Sequence, residues 1–195
     1  MPDQTQVKMT DNFVLFWGGW PSQWAKSQFT IDSVTYNCCE QFMMAEKARI
    51  FGDHVAVTNI LATNNPAKQK ALGRKVTSFN EDVWNSVCRG IVYRANLAKY
   101  EQNAEFRDLL MATKRRVIVE TSPRDRIWGI GLHQDDPRAQ HPAQWRGRNW
   151  LGVAIMQVRD ELYRRTGESA PELDDELHRQ LERRNKLLTK KATTP

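Results

Sequence analysis

The sequence predicts a mainly α-helical fold with a few short strands (α+β in the loose sense), one compact domain with an appended C-terminal helix. Three observations lead there. Apolar residues recur at helical spacing behind asparagines suited to N-capping, over 37–52, 80–103 and 149–162. β-branched runs are brief, confined to residues 28–36 and 117–120. Beyond Gly167 the chain becomes charge-rich, with Leu173, Leu177 and Leu181 four residues apart, as in one amphipathic helix. The boundaries this gives are 11–165 for the domain and 166–195 for the helical tail.

At 195 residues, 40% apolar and 27% charged, the chain is large enough for one sizeable core, and it holds no apolar run long enough to span a bilayer. Its first residues lack the pattern of a secretory signal. Cys38, Cys39 and Cys88 form no C-x-x-C spacing, which suits reduced thiols in the cytoplasm rather than a disulfide framework or a zinc site. The net charge is +6 with a pI near 9.4, yet residues 160–195 hold eight acidic and eight basic side chains, so the excess belongs to residues 1–159. A basic body suits an anionic partner such as a phosphate-bearing ligand or nucleic acid, although many proteins carry this charge with no such partner.

In chain order, residues 11–36 are aromatic and turn-rich. Gln28–Ile31 and Ser33–Tyr36 read as short strands around a turn at Asp32-Ser33. The aromatic side chains there serve either as a stacking surface or as packing for the next helix. That helix starts at an Asn37 cap and stops at Gly52. Glu40 lies in its first turn, and Lys47 lies seven residues on, over nearly the same face. Two readings of Glu40 stay open, a capping-box glutamate or a carboxylate in a site. Lys47 is likewise either a surface lysine whose stem covers apolar neighbours or a site amine.

A second helix follows over Val55–Leu61, and a third opens with Asn65-Pro66 and runs to Gly73. Asn80 caps a longer helix with Trp84, Val87, Cys88, Ile91 and Ala95 as its apolar stripe, and another spans Asn103 to Ala112 with Phe106, Leu109 and Leu110 inward. The basic run Lys114-Arg115-Arg116 leads into a strand over Val117–Glu120. In the loop from Thr121 to Gly131, glycines flank Ile130 and permit close approach of a ligand. After a polar, irregular stretch ending in Arg146-Gly147-Arg148, Asn149 caps a helix through Leu162. Its free N–H groups with arginines just before them form a candidate anion site. Thr193-Thr194-Pro195 reads as a frayed end.

Several stretches together resemble the NADAR (YbiA-like) family. They are Ser22-Gln23-Trp24, Glu40-Gln41-Phe42-Met43 with Lys47-Ala48 and Phe51-Gly52-Asp53, Lys70 with Gly73-Arg74-Lys75-Val76, Trp84, Lys99-Tyr100 with Gln102-Asn103, Leu109-Leu110 with Thr113, Val119-Glu120 with Ser122–Gly131, and Gly147-Arg148-Asn149 with Leu151-Gly152. The resemblance covers roughly 13–165. It implies a compact, mainly helical N-glycosidase that cleaves bonds to ribose in phosphate-bearing compounds, with no cofactor and no metal. Two substrate classes come with it, ADP-ribose on guanine in nucleic acid and phosphoribosylamino-pyrimidine intermediates of riboflavin synthesis. A non-catalytic ADP-ribose or nucleic-acid binding module is the alternative from another class.

Position by position, Glu40 matches the family's catalytic glutamate, and Trp84, Asp125 and Trp128 match pocket residues. Lys47 matches a recurrent lysine that could neutralise a leaving group, hold a phosphate or attack the anomeric carbon. With these go Gly129, Arg146, Arg148 and Asn149 as substrate-binding candidates, the last three for phosphate. Gln41 stands where the riboflavin-intermediate branch has a histidine. The tail is read as a mediator of self-association or partner contact, with no membrane partner.

Overall fold

The computed structural model describes residues 1–169, 171–173 and 175–192, with the side chains of 185 and 187–192 outside that description. The frayed end expected at Thr193-Thr194-Pro195 and the packing of Leu187 and Leu188 lie outside the described residues. The chain divides into two compact units. One is Met1–Asp3 with Trp20–Leu110, and the other is Gln4–Gly19 with Met111–Pro195.

The first unit starts with the hairpin β3 (Phe29–Ile31) and β4 (Val34–Tyr36); the two preceding strands belong to the second unit. Asp32 and Ser33 both take positive φ, 50° and 64°, as a two-residue hairpin turn demands. Helix α1 (Cys39–Ile50) packs against α2 (His54–Leu61), α3 (Pro66–Gly73) and the long α4 (Glu81–Gln102). Phe29, Tyr36 and Phe42 pack ring on ring in the core of this unit. Asn65 and Asn80 cap α3 and α4 as the sequence suggests, accepting from Lys68 and Val83 N–H. Asp53 caps α2 through Ala56 N–H. Helix α5 (Ala104–Ala112) buries Phe106 and Leu110, while Leu109 is only partly buried.

The start of α1 differs from expectation. Its N-cap is Cys38, not Asn37, and no side chain caps it. The Asn37 amide is drawn to Thr63 O and Asn64 Oδ1 instead, while Gln41 Oε1 accepts from Asn37 N–H at 2.8 Å. The reach-back read as a possible task of Glu40 is therefore performed by the next residue.

Lys99, on α4, is fully buried, and its Nζ donates to Trp20 O at 2.7 Å and Ser22 O at 3.0 Å. Burial pushes its pKa down to about 8 from an ordinary 10.5. A depressed lysine contributes stability that is present above about pH 10.5 and lost as the pH falls through about 8. Burial also raises the Cys38 and Cys39 thiols to about 11 and about 12, terms of opposite sign that are lost as the pH rises from about 9. The two kinds of term overlap, so the clean observable is a difference. Between pH 7 and 10, the unfolding free energy of wild type should gain about 2 kcal/mol on that of Lys99→Met, measured by denaturant titration. A pH-independent difference would show that Lys99 does not titrate between the two states.

The second unit is built on a three-stranded sheet ordered β1 (Val7–Met9), β2 (Phe13–Phe16), β5 (Val117–Glu120). β2 runs antiparallel to β1 and parallel to β5, with Phe13 opposite Val117 and Phe16 opposite Glu120. Residues 13–16, read from the sequence as irregular, thus form the central strand. All four are buried, so no polar–apolar alternation marks them. The irregular stretch before Arg146 contains two 3-10 turns, Pro137–Gln140 and Pro142–Gln144, over a buried Trp145 whose Nε1 donates to Ala139 O.

Helix α6 (Trp150–Thr166) packs on β5 and ends at Gly167 in the left-handed region. Helix α7 (Asp175–Ala192) folds back on its own unit. Leu177 joins the core formed by Phe13, Leu15, Val119, Ile130 and Trp145, with Leu173 and Leu181 packed beside it.

Candidate active site

Glu40, Lys47 and Trp84 belong to the first unit. The remaining candidates, Asp125, Trp128, Gly129, Arg146, Arg148 and Asn149, belong to the second.

Glu40 is 5% exposed in the first turn of α1, where the helix N-terminus favours a carboxylate. Its backbone N–H donates to Gln23 O at 3.0 Å, which lays the loop Trp20–Trp24 across the start of the helix. That loop is pinned from α4. Asn96 Nδ2 donates to Gln23 Oε1 at 3.0 Å, and Lys99 holds the carbonyls of Trp20 and Ser22. Gln41 is fully engaged as a tie, with its Nε2 on the carbonyls of Ile60, Leu61 and Thr63 at the end of α2. Gln41 thereby ties α1 to the end of α2.

Lys47 is half-buried. Its Nζ sits 4.0 Å from the centre of the Phe79 ring and 5.6 Å from that of Trp84, so the structure brings Lys47 and Trp84 together. Burial first, and then the Arg74 guanidinium, lower its pKa, which shifts it toward the neutral amine.

In the second unit, Asp125 is half-buried and its Oδ1 accepts from Ile127 and Trp128 N–H at 2.9 and 2.8 Å. It shapes the loop that presents Trp128, whose ring meets Trp150 edge-on at 5.8 Å. Gly129 is buried against its own chain. A Cβ there would lie 2.9 Å from Glu120 O and 3.1 Å from Asp125 O, so the close approach the sequence assigned to a ligand is made by backbone. The segment 146–149 lies along this loop through three backbone bonds, Arg146 N–H to Ile130 O, Arg148 N–H to Arg126 O and Asn149 N–H to Gly129 O. The Arg146 and Arg148 side chains are exposed, with the Arg148 guanidinium 4.9 Å over Trp150.

Asn149 requires a correction. It stands at the N-cap of α6, but in the left-handed region (φ 55°) and without a capping hydrogen bond. Its buried amide instead accepts from Glu120 N–H and donates to Ile118 O, fixing α6 to β5. The first N–H groups of the helix are also taken, Trp150 by Ile127 O and Leu151 by Trp128 O. The anion site expected at this helix start therefore loses both its side chain and two of its donors.

With the geometry in hand, comparison with known proteins becomes informative. A family model described as the NADAR domain matches residues 15–163, across both units. The chain belongs to the NADAR family. Among its relatives, irg-1 of Caenorhabditis elegans is 42% identical over a stretch covering 67% of this chain and 62% of irg-1, so the chain spans less than two thirds of that protein. N-glycosidase R617 of Acanthamoeba polyphaga mimivirus is 35% identical over 78% of this chain and 97% of its own length. N-glycosidase YbiA of Escherichia coli is 30% identical, covering 72% and 79%. The NMR structure of the E. coli protein YbiA superposes with a TM-score of 0.68 at 28% identity, covering 85% of this chain and 94% of that one. The mainly helical fold with a few short strands is the fold of that relative.

Among the described residues, no cluster of His, Cys, Asp or Glu has the makings of a metal site, and no helix is long and apolar enough to cross a membrane. The sequence marks Lys99 only as part of the family pattern and gives neither it nor Asn96 a place in the site. Lys99 and Asn96, which hold the loop beside Glu40, carry a visible signal, two polar residues continuing the stripe Cys88–Ile91–Ala95 of α4. A lysine on an apolar stripe is worth asking what it bonds to.

Proposed function

We propose that the chain is an N-glycosidase, a hydrolase that cleaves the bond between C1′ of ribose and a base nitrogen, and that it removes ADP-ribose from guanine in DNA or another nucleic acid. The observation that carries this reading is the buried Glu40 carboxylate at the start of α1, with the Lys47 amine two turns along the same helix and held against Trp84. R617 and YbiA bear the activity in their names.

Breaking the bond builds positive charge on the ribose ring. A carboxylate beside C1′ stabilises that charge and takes a proton from the attacking water, whose oxygen ends on C1′ while the departing nitrogen gains a proton. Exclusion from solvent strengthens the effect. The lowered pKa of Lys47 favours its use as an amine: its nitrogen bonds C1′ as the bond to the base breaks and the base leaves with a proton, the ribose ring opens to give a Schiff base, and water hydrolyses that imine to release the sugar and return the amine. Within the first unit Trp84 offers a ring face for a base or ribose; within the second, Trp128 offers another, Asp125 Oδ2 suits a ribose hydroxyl, and the exposed Arg146 and Arg148 suit pyrophosphate.

Nucleic acid is favoured over a free metabolite by exposed aromatic faces beside lysine side chains. Trp24 is 44% exposed with Lys70 Nζ 5.8 Å from its ring, and Phe79 is 44% exposed beneath Lys47. We place the enzyme in the cytoplasm, with three reduced, buried thiols.

The test is product analysis with a guanine-ADP-ribosylated oligonucleotide and, separately, the phosphoribosylamino-pyrimidine, with borohydride present in a parallel sample. Release of ADP-ribose from the oligonucleotide is the expected result, and a borohydride-trapped adduct absent from Lys47→Met would assign the amine. Turnover of the pyrimidine alone would move the enzyme to metabolite clearance. Binding of ADP-ribose with no turnover of either substrate would leave a binding module.

A further inference from the structure

Helix α7 lies beyond the stretch matched by the family, and one of its residues reaches the candidate phosphate-binding segment. Leu177, Leu181 and Arg184 share one face of the helix at i, i+4 and i+7. The leucines sit on the sheet core. Arg184 is 8% exposed, its guanidinium lies 5.0 Å over the Trp145 ring, and its Nη2 donates to Gly147 O.

Gly147 is the middle of the segment that hydrogen-bonds the Asp125–Gly131 loop on either side, through Arg146 and Arg148 N–H. The two stretches of chain also approach closely there. A Cβ at Gly147 would strike Gly129 O and stand 2.7 Å from the Arg126 Cα. Its carbonyl is therefore a point from which the whole paired loop can be held. Burying a guanidinium is costly, and burial lowers the Arg184 pKa to about 10, with no carboxylate among the described residues contributing. A helix that needed only apolar anchorage has Leu177 for it.

We propose that Arg184 is a positioning residue and α7 a strap: by clamping the Gly147 carbonyl, the tail fixes the geometry in which Arg146 and Arg148 meet the phosphates of the substrate. The proposal rests on the reading of that segment as the phosphate contact. It assigns the tail a task within its own chain, in place of self-association.

The experiment uses the full-length protein and three variants, Arg184→Met, Arg184→Lys and Arg148→Ala. Methionine keeps the stem on Trp145 and removes the donors, whereas lysine restores a charged donor. Calorimetric affinity for ADP-ribose, KM and kcat on the substrate that turns over, and Tm are measured for each. The strap predicts that Arg184→Met weakens ADP-ribose binding and raises KM about tenfold with kcat within about twofold, and that lysine recovers most of the loss. If Arg148→Ala weakens binding while Arg184→Met changes only Tm, α7 is structural and the strap is overturned. If neither variant alters ADP-ribose affinity, the reading of the segment as a phosphate site fails and takes the strap with it. Should Arg184→Met not fold, Arg184→Gln takes its place, since it stays polar but withdraws the guanidinium donors from the Gly147 carbonyl: a raised KM with kcat kept supports the strap, and an unchanged KM overturns it.

Discussion

Glu40→Gln removes turnover and leaves the protein folded: kcat is expected to fall by a factor on the order of 10²–10⁴, with Tm moving by only a few degrees. The amide matches the carboxylate in shape, and the bond from the Glu40 N–H to Gln23 O, being a backbone one, survives the change. What glutamine lacks is the negative charge that stabilises a cationic ribose and the basicity that activates water. The check is steady-state kinetics beside thermal unfolding and ADP-ribose binding. An unchanged kcat would remove Glu40 from the chemistry, and a collapse of Tm with binding lost would recast it as a structural carboxylate. Neither outcome is hidden by the other, because binding and folding are read independently of turnover.

The largest effect on stability is expected at Gly152. This glycine lets α6 lie directly on β5, and a Cβ in its place would overlap Ile118 O and stand 2.6 Å from both polar atoms of the Asn149 amide. Neither neighbour has room to move. Asn149 is 1% exposed and bonds β5 at two points, and Ile118 belongs to the sheet. Gly152→Ala should cost about 3 kcal/mol or more, seen as a lower denaturant midpoint at unchanged slope. Gly90 provides the control. It lies exposed within α4 with open space at its Cβ position, so Gly90→Ala should stabilise by about 0.5–1 kcal/mol. If both glycines behaved alike, the contact of α6 with β5 would be looser than the structure shows.

These contrasts mark where the sequence speaks plainly and where it does not. Asn65-Pro66 and Asn80 announce helix starts because their side chains bond the first turn of the helix that follows them, a purely local event. Asp32-Ser33 reads as a hairpin turn for the same reason. Asn37 and Asn149 have the right residue type at nearly the right place, yet each spends its amide on a partner tens of residues away, Asn37 on Asn64 and Asn149 on β5. Composition cannot show that. Nor could it show β2, whose four residues are buried on both faces and whose parallel partner is distant in sequence.

The candidate site divides in the same way. Glu40, Lys47 and Trp84 were legible as a family pattern and, for the first two, as positions on one helix. The contact of Lys47 with Phe79 and Trp84 needed the fold, and so did the occupation of the space beside Gly129 by backbone. Arg184 had no sequence signal at all, because an arginine on a charge-rich helix is ordinarily solvated.

The pairing of β2 with β5 has a consequence for the order of events during synthesis. The central strand is among the first segments made, but its parallel partner emerges about a hundred residues later, with Trp20–Leu110 of the first unit in between. The first unit can collapse as soon as α4 is available, while Phe13–Phe16 has only β1 to pair with and keeps its other edge open until Val117–Glu120 appears. The nascent chain is therefore most open to misassociation during that interval, and a ribosome pause between residues 16 and 117 would lengthen it.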